Sequence, residues 1–378
     1  MKVVITGSDG FIAKNLSCRL REDKRYTVCE INRDTPSKTV AEQLADADFV
    51  FHLAGINRPD DISEFWRGNT DFTERVVKVL AQTGRKIPIM LSSSSQATLD
   101  NPYGRSKLAA EKLVQEYATI SGADHYIYRL PNVFGKWCKP NYNSFVATFC
   151  NNIVHGKEIL IDDPSSQVDL VYVDDVCDDL SCLLLDHSIP KPKPKPKPKL
   201  KFYSVPIQYE TTVGEVARIL YRFKTSQQTL ILENVGFGLE RALYATFLSY
   251  FPPVDFKYEI PTYKDERGIF CEMLKTRSTG QFSYFTAGPG VTRGGHYHHS
   301  KNEKFLVIKG QARFKFKNIL TGERYSVSAD AQLPEIVVTV PGWCHDITNI
   351  GDEELIVMLW ANEIFDRDRP DTFAQDLF

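Results

Sequence analysis

The feature that most constrains the fold is a change of sequence pattern near residue 250. Before it, short β-rich runs such as KVVIT and ADFVFHLAG alternate with stretches of helical spacing such as FIAKNLSCRLRED. This alternation predicts a parallel β-sheet covered by helices on both faces. After it, short apolar runs such as EKFLVIKG and EIVVTVPGW are separated by turns rich in Gly, Pro and Asp. The second pattern predicts an all-β sandwich or barrel.

Two domains are expected from the length of the chain as well. Its 378 residues exceed what one hydrophobic core usually supports. The segment SYFPPVDFKYEIP separates the two patterns, so we predict one domain over 1–252 and another over 253–378. The repeat PKPKPKPKPK at 190–199 predicts an exposed loop inside the first domain rather than a nucleic-acid-binding tail, because Pro has no N–H to donate.

The composition argues against several classes of protein. A net charge of −2 provides neither a basic surface for nucleic acid nor a polybasic membrane anchor. The apolar runs have the length of strands rather than of membrane spans, and the N-terminus lacks the pattern of a signal peptide. The eight cysteines are scattered, which favours free thiols in a reducing compartment, and the cytoplasm is therefore the expected location.

A glycine-rich turn joins the first predicted strand to the first predicted helix. Gly7 allows a tight turn, and Gly10 allows the backbone to approach a pyrophosphate at the helix N-terminus, which begins with Phe11 and Ile12. Ala13 is small enough for packing between helix and strand. Taken alone, this turn also fits an ordinary connection between a strand and a helix.

Tyr103 and Lys107 add a chemical function to this turn. Their spacing places both side chains on one face of a helix. An ammonium near a phenol favours the phenolate, and we expect it to lower the pKa of the tyrosine. The serine run LSSSSQ ends a predicted strand just upstream. The combination is much less common by chance than the Tyr–Lys pair alone.

These residues resemble the extended short-chain dehydrogenase/reductase superfamily of nucleotide-sugar enzymes, which have an α/β Rossmann fold. The resemblance extends to HLAG, GNT, RLPNVFG and VYVDDV. It implies that Tyr103 is the general acid or base, that Lys107 tunes it and holds the cofactor ribose, and that Ser94 polarises the reacting oxygen. Ser93 and Ser95 compete with Ser94. Further residues implied for the cofactor are Gly7, Gly10, Phe11, Ile12, Leu53, Ala54, Gly55 and Pro131, and those for the substrate are Asn132 and Lys136.

The end of the second strand bears on which nicotinamide cofactor binds. NAD enzymes usually have an acidic residue there that grips the ribose hydroxyls. The aligned position is Asn32, and Arg33 follows it. A neutral residue beside a guanidinium suits a 2′-phosphate, so we expect NADPH. Glu30 is the opposing observation, but it lies too early in the strand to reach the ribose.

The sequence GGHYHHSKNEKFLVIKG contains three histidines within four positions. On a strand, His296 and His298 share a face, while His299 points the other way. Glu303 opens the next strand, and His345 lies on a more distant one. Imidazole and carboxylate ligands of this kind predict a first-row transition-metal site.

The spacing of these residues resembles the two sequence motifs of the cupins, whose fold is a jelly-roll barrel. Either His298 or His299 fills one ligand position, and a three-ligand site of His296, Glu303 and His345 stays open. Zinc is the first expectation, with iron, manganese or nickel as alternatives. KDERGIFCE also resembles the entry strand of cupin-fold 3,5-epimerases, which work without a metal. The proton-transfer residues are therefore undecided; the candidates are His299, Tyr297, Lys301 and Asp346.

The two halves together resemble bifunctional enzymes of capsular polysaccharide synthesis. The resemblance implies a homodimer that binds UDP-2-acetamido-2,6-dideoxy-4-keto-hexose (L-arabino). The cupin would invert carbon 3, and the reductase would reduce carbon 4 with NADPH to UDP-N-acetyl-6-deoxy-L-talosamine, on the route to N-acetyl-L-fucosamine. The alternatives are a dTDP-deoxysugar enzyme, a cupin that only dimerises or binds sugar, and a regulatory protein without turnover.

Overall fold

The computed structural model describes residues 1–188, 202–252, 255, 260–298, 301, 303–319, 321–339, 342–368 and 370–377, with the backbone alone at 186–188. The predicted Pro-Lys loop lies outside them. The chain forms two compact units: Met1–Leu220 with Ala245–Tyr250, and Tyr221–Tyr244 with Phe251–Phe378. We call them the N-terminal and C-terminal units. The helical residues Tyr221–Tyr244, which the sequence analysis includes in the first domain, group with the C-terminal unit. The functional boundary at 252 and 253 stays a prediction.

The N-terminal unit contains the predicted parallel sheet. Its strands are β1 (Lys2–Thr6), β2 (Thr27–Ile31), β3 (Phe49–His52), β4 (Ile89–Ser94) and β5 (His125–Leu130), in the order β2-β1-β3-β4-β5. The order reverses between β1 and β3. Sheets of this type bind ligands in the crevice at the carboxyl ends of the strands beside such a reversal.

Apolar residues of the strands and helices form one core in this unit. Val4, Val50 and Leu91 on the strands pack with Val76 and Val114 on helices, and all are at most 1% exposed. A second sheet has the order β6-β7-β8, with β6 at Asn132–Phe134, β7 at Gln167–Tyr172 and β8 at Tyr209–Thr212. The helices of the chain are α1 (Phe11–Arg21), α2 (Ser37–Ala45), α3 (Ser63–Phe65), α4 (Phe72–Gln82), α5 (Pro102–Ser121), α6 (Phe145–Val154), α7 (Val173–Ser188), α8 (Val213–Thr229) and α9 (Gly238–Leu248).

The C-terminal unit confirms the predicted change to mostly β structure. One sheet has the order β10-β11-β12-β19-β14-β17, with β9 beside β11, and the other has the order β16-β15-β18-β13-β20. The strands are β9 (Ile231–Leu232), β10 (Thr262–Asp265), β11 (Gly268–Thr276), β12 (Gly280–Ala287), β13 (Thr292–Tyr297), β14 (Glu303–Lys309), β15 (Gln311–Asn318), β16 (Arg324–Asp330), β17 (Ile336–Val338), β18 (Trp343–Asn349), β19 (Leu355–Ala361) and β20 (Phe373–Ala374).

The two sheets of this unit share a single apolar core. Phe285 and Val357 from the first sheet pack with Phe314 and Ile347 from the second, and all four are buried. Alternation along each strand explains this pattern, because every second side chain faces the partner sheet. The assignment of this sandwich as a cupin jelly roll stays a prediction.

The structure bears on two sequence-based expectations, which concern membrane spans and the cysteines. Among the residues described, no helix has both the length and the apolar character that crossing a membrane requires. All eight cysteines are free thiols, as the scattered spacing predicts.

Candidate active site and metal centre

The glycine-rich turn lies at the reversal of the parallel sheet. Gly7 has a φ of +70°, and a Cβ there would lie 2.6 Å from the Cα of Ala54 at the end of β3. The Gly10 N–H donates to the Gly7 carbonyl oxygen at 2.8 Å, and Gly10 is the N-cap of α1. Because Gly10 has no side chain, it cannot cap the first-turn N–H groups of Phe11 and Ile12. The turn therefore leaves room for an anionic group at a helix N-terminus.

Tyr103 lies in the first turn of α5. The Asn101 side chain accepts a hydrogen bond from the Gly104 N–H at 2.7 Å, and Pro102 begins the helix, so the local sequence fixes where this turn starts. The Ser94 side chain lies close to the Tyr103 hydroxyl. Burial raises the pKa of Tyr103, and the Ser94 side chain lowers it by a smaller amount.

Lys107 follows one turn later and is buried. Its ammonium donates to the Ser92 carbonyl oxygen at 3.0 Å, and a Cβ on Gly55 would lie 2.8 Å from its Nζ. Burial lowers the pKa of Lys107 to about 8, and the charge of Glu111 opposes that shift. The expectation that Lys107 lowers the pKa of Tyr103 is wrong: that pKa is raised, because burial outweighs the polar group beside the phenol.

The three competing serines have different surroundings. The Ser93 hydroxyl donates to Glu111 at 2.5 Å, and Arg129 forms two further bonds to that carboxylate, at 2.9 and 2.7 Å. Ser95 is exposed. Of the three, Ser94 is the one whose side chain lies close enough to the Tyr103 hydroxyl to lower its pKa. This arrangement favours the choice of Ser94, whose catalytic role stays a prediction.

The residues at the end of β2 also differ in their availability. The Glu30 carboxylate accepts a hydrogen bond from Ser17 at 2.6 Å and pairs with Arg21 at 3.0 Å, so α1 occupies it. Asn32 shapes the following turn, where its side-chain oxygen accepts from the Asp34 N–H at 3.1 Å. Arg33 is exposed. The geometry agrees with a Glu30 that does not reach the cofactor.

The implied substrate residues lie on and after β6. The Asn132 side chain donates to the Asp169 carbonyl oxygen at 3.4 Å, and Lys136 pairs with Asp174 at 2.5 Å. Pro131, between β5 and β6, is half-buried. Tyr142, in the segment that follows, lies near enough to Tyr103 to raise its pKa slightly. The structure therefore brings Tyr142 to the tyrosine, whereas Asn132 and Lys136 are engaged with other groups.

The predicted metal ligands form one cluster in the C-terminal unit. His296, His298, Glu303 and His345 each offer a ligand atom, and these atoms lie within 4.8 Å of one another. Glu303 belongs to the first sheet, and His296 and His345 are directly opposite each other on β13 and β18 of the second. His299 lies outside the described residues, so its competition with His298 stays open.

Two glycines bring the strands of the cluster together. Gly294 and Gly295 have φ angles of +100° and +79°, at a bulge where β13 bends against β18. A Cβ on Gly294 would lie 2.9 Å from the His345 carbonyl oxygen. Only glycine combines this backbone conformation with so close an approach. The sequence GGHYH therefore places His296 against His345.

The hydrogen bonds of the cluster leave lone pairs that face one carboxylate. The His298 Nδ1–H donates to the Asp371 carbonyl oxygen at 2.6 Å, which in the neutral ring leaves a lone pair on Nε2. That atom lies 3.2 Å from Glu303 Oε2. The His345 Nε2 is buried, forms no hydrogen bond to the described residues and lies 3.4 Å from the same oxygen. Lone pairs that face each other in a buried site repel unless a proton or a metal ion lies between them.

The charges and distances fit a metal as well. Burial raises the pKa of Glu303, but positive charge at the neighbouring imidazoles lowers it more, so a cation beside the carboxylate keeps it ionised. Burial, together with His345, lowers the pKa of His296 to about 4, which leaves that ring neutral. Ligand atoms around tetrahedral zinc are about 3.3 Å apart. The two separations from Glu303 match this spacing, and these residues therefore fit a divalent transition metal.

Most of the proposed proton-transfer candidates can be located. Tyr297 alternates with His296 and His298, and its ring stacks on Phe373 at 5.4 Å. Asp346 likewise alternates with His345 and lies on the other face of β18, opposite Gly294. Neither side chain faces the cluster. Lys301 is buried, and in the sequence it comes between His298 and Glu303. His299 lies outside the described residues.

Comparisons with known proteins give a family match over each half of the chain. Residues 3–194 match the NAD dependent epimerase/dehydratase family, and residues 263–373 match the Polysaccharide biosynthesis C-terminal domain. Over 374 residues the chain is 49% identical to the UDP-2-acetamido-2,6-beta-L-arabino-hexul-4-ose reductase of Pseudomonas aeruginosa, covering 99% of this chain and 98% of that protein. The chain belongs to the NAD dependent epimerase/dehydratase family.

Solved structures show the same relationship over the whole chain. The capsular polysaccharide assembling protein CapF of Staphylococcus aureus has a TM-score of 0.90 and 40% identity, with 100% of both chains covered. The chain is thus CapF-like, as its motifs predict. A UDP-glucuronic acid 4-epimerase of Bacillus cereus, solved with NAD, has a TM-score of 0.54 at 17% identity over 66% of this chain and 96% of that one. That likeness shows the Rossmann-like fold, and membership of the family implies a nicotinamide cofactor.

One buried residue of this family member was not assigned a role from the sequence. Asn69 lies on a single π-helical turn, Trp66–Asp71, and is 1% exposed. Its amide bonds the Ile56 N–H at 2.8 Å, the Ile56 carbonyl oxygen at 2.9 Å and Ser106 at 3.0 Å. It therefore joins the loop after β3 to the helix that carries Tyr103. The GNT motif includes Asn69, but the residues that the Asn69 amide contacts are distant in sequence. The motif alone therefore does not predict these contacts.

Proposed function

We propose that the protein is a bifunctional nucleotide-sugar enzyme that epimerises carbon 3 of UDP-2-acetamido-2,6-dideoxy-4-keto-hexose (L-arabino) and reduces carbon 4. The observation that carries the proposal is the presence, in one CapF-like chain, of a Ser94–Tyr103 pair beside Lys107 and of a cluster of three histidines and a glutamate. The reductase of Pseudomonas aeruginosa supplies the substrate class. The product is UDP-N-acetyl-6-deoxy-L-talosamine, on the route to UDP-N-acetyl-L-fucosamine for capsule or O-antigen.

The chemistry sets the order of the two steps. The C3–H of the sugar is acidic only while C4 is a ketone, because the electron pair left by the proton is then shared with the carbonyl oxygen. Return of a proton to the opposite face of C3 inverts it. Hydride transfer from NADPH to C4, with a proton from Tyr103 to the oxygen, then gives an alcohol and ends the acidity. Epimerisation therefore precedes reduction.

In the C-terminal unit, His296, His298, Glu303 and His345 would hold a divalent ion, with zinc as first choice. When bound, the ion supplies Lewis-acid stabilisation for an enolate oxygen. The residues themselves bind it and fix its position between the two sheets of a cupin-like barrel. A barrel that only dimerises or binds sugar is the alternative, and it predicts no isotope exchange at C3.

NADPH is the proposed reductant because Glu30 is engaged by Ser17 and Arg21, whereas the exposed Arg33 is available for a 2′-phosphate. Replacing Arg33→Ala should lower kcat/KM for NADPH about 10- to 100-fold and leave the value for NADH unchanged. Glu30→Gln is the matched control and should alter neither. Equal losses with both cofactors in R33A would exclude the phosphate contact.

The decisive experiment follows the two steps in the full chain. The keto-sugar is incubated in deuterated water, NMR records exchange at C3, and absorbance records NADPH oxidation. Tyr103→Phe should abolish oxidation and keep exchange, while His345→Ala should abolish exchange. Loss of both activities in Tyr103→Phe would refute the division of labour. Competitive inhibition by UDP but not by dTDP would separate the proposal from the dTDP-sugar alternative. Analytical ultracentrifugation tests the proposed homodimer.

A further inference from the structure

The C-terminal strap, defined as residues Pro370–Leu377, runs along the metal cluster. Its short strand β20 pairs with β13, with Ala374 opposite His296 and Phe373 opposite Tyr297. Beyond it, the Gln375 N–H donates to the Gly295 carbonyl oxygen at 3.0 Å. The strap is thus bonded along the segment that carries the first two histidines.

The strap also determines which nitrogen of His298 carries the proton. The Asp371 carbonyl oxygen lies 2.6 Å from His298 Nδ1 and can only accept, so Nδ1 is the donor. Nε2 then presents its lone pair toward Glu303, 3.2 Å away. In metalloproteins, a carbonyl bonded to the outer nitrogen of a histidine ligand fixes the tautomer and the orientation of the ring.

Lys301 attaches the strap a second time. Its backbone N–H donates to the Asp371 side chain at 2.8 Å, and its ammonium donates to the Thr372 hydroxyl at 2.8 Å and the Pro370 carbonyl oxygen at 3.4 Å. Lys301 is 6% exposed, so these bonds are sheltered from water. It comes between His298 and Glu303 along the chain. Both contacts therefore link the strap to the segment that supplies two ligands.

The backbone of Asp371 indicates that this position is imposed. Its φ is +37°, a region that residues other than glycine seldom occupy. Such a conformation is unfavourable and persists where surrounding bonds hold it. The bonds to His298 and Lys301 both involve Asp371 directly.

We infer that the C-terminal strap is a positioning element of the metal centre, which holds His298 in the tautomer and orientation that let Nε2 bind the ion. The inference rests on the proposed metal function and adds to it a second set of residues, Lys301, Asp371 and Thr372. They act through His298 and do not bind the ion themselves. The strap lies 73 residues beyond His298 in the chain.

The test measures zinc affinity of the full chain by chelator competition, together with ¹⁵N NMR of the histidine rings. Thr372→Val and Lys301→Met should each weaken zinc binding about 10- to 100-fold and mix the tautomers of His298 in the metal-free protein. Thr372→Ser keeps a hydroxyl and should therefore keep the zinc affinity and the His298 tautomer of the wild type. The matched control is Thr292→Val, which removes a threonine hydroxyl bonded to Thr348 at 2.9 Å elsewhere on β13.

The possible outcomes separate the two ideas. If the wild type binds one zinc ion per chain and both variants bind it equally well with unchanged ring signals, the strap inference is overturned and the metal function stands. If the wild type binds no divalent ion, both are overturned. Weaker binding in the strap variants alone, with unchanged NADPH affinity, supports the inference.

Discussion

The Tyr103 site and the metal cluster are assembled in different ways. In the N-terminal unit, Tyr103 and Lys107 are one helical turn apart, and strand ends supply their surroundings. In the C-terminal unit, the predicted ligands lie on or directly after three strands in two sheets, and a carbonyl oxygen 73 residues away bonds one of them. The first site therefore depends on local helix geometry, and the second depends on strand register.

They also differ in how far their polar groups are satisfied. The Lys107 ammonium bonds the Ser92 carbonyl oxygen, and the Ser93 hydroxyl bonds Glu111. In the metal cluster, lone pairs on His298 and His345 face one carboxylate. The N-terminal site is therefore formed in advance by contacts within the chain, whereas a positive charge would stabilise the C-terminal cluster.

The largest effect is expected from Tyr103→Phe. Removal of the hydroxyl takes away the proton donor to C4 and should slow NADPH oxidation about 100- to 10,000-fold. Tyr117→Phe is the matched control on the same helix, because the Tyr117 hydroxyl donates to the Ile87 carbonyl oxygen in the core. It should affect thermal stability more than turnover. Equal rate losses in both variants would contradict a chemical role for Tyr103.

The second-largest effect is expected from metal removal, which should lower the stability of the C-terminal unit and not that of the N-terminal unit. An ion present at about 1,000 times its Kd stabilises the protein by about 4 kcal/mol, which a chelator removes. Calorimetry and hydrogen exchange should locate the loss in β13, β14 and β18, with β1 and β4 unchanged. His345→Ala should abolish the response, whereas exposed His155→Ala in the N-terminal unit should keep it. Destabilisation confined to the N-terminal sheet would contradict a metal site in the C-terminal unit.

Glu111→Gln tests how firmly the N-terminal site is formed in advance. The variant leaves Arg129, whose side chain is 19% exposed, beside a neutral partner and should cost about 3 kcal/mol in the free energy of unfolding. Denaturant titration measures this change. Glu42→Gln, in an exposed pair with Lys38, should have no measurable effect. A Glu111 variant as stable as Glu42→Gln would mean that the buried pair contributes little.

The smallest effect concerns pH. Burial lowers the pKa of Lys107 to about 8, so the ammonium should lose its proton near that pH, and NADPH affinity should fall above it. Stability should change in the opposite direction. Between about 8 and the ordinary value of 10.5, the unfolded chain binds one more proton, so the contribution of Lys107 to unfolding free energy rises with pH. Lys107→Met should lack both changes. Fluorescence titration measures the NADPH affinity, and denaturant titration measures the unfolding free energy.

Much of both sites follows from short-range sequence patterns. The alternation of strands and helices, the turn at Gly7 and the Tyr103–Lys107 spacing depend on residues close in sequence, so they are predictable. The histidine and glutamate spacing likewise identified all four residues that the structure brings together. Asp346 shows the limit of this reasoning, because strand alternation turns it away from the cluster that its neighbour His345 joins.

Local patterns specify the two kinds of architecture and the chemical types at each site. The folded structure is what pairs Ser93 with Glu111 and brings Ser94 near Tyr103. It alone also brought the Asp371 carbonyl to His298. The physical reason is that side-chain periodicity specifies which face a residue occupies, whereas its partner depends on strand order and register between distant segments.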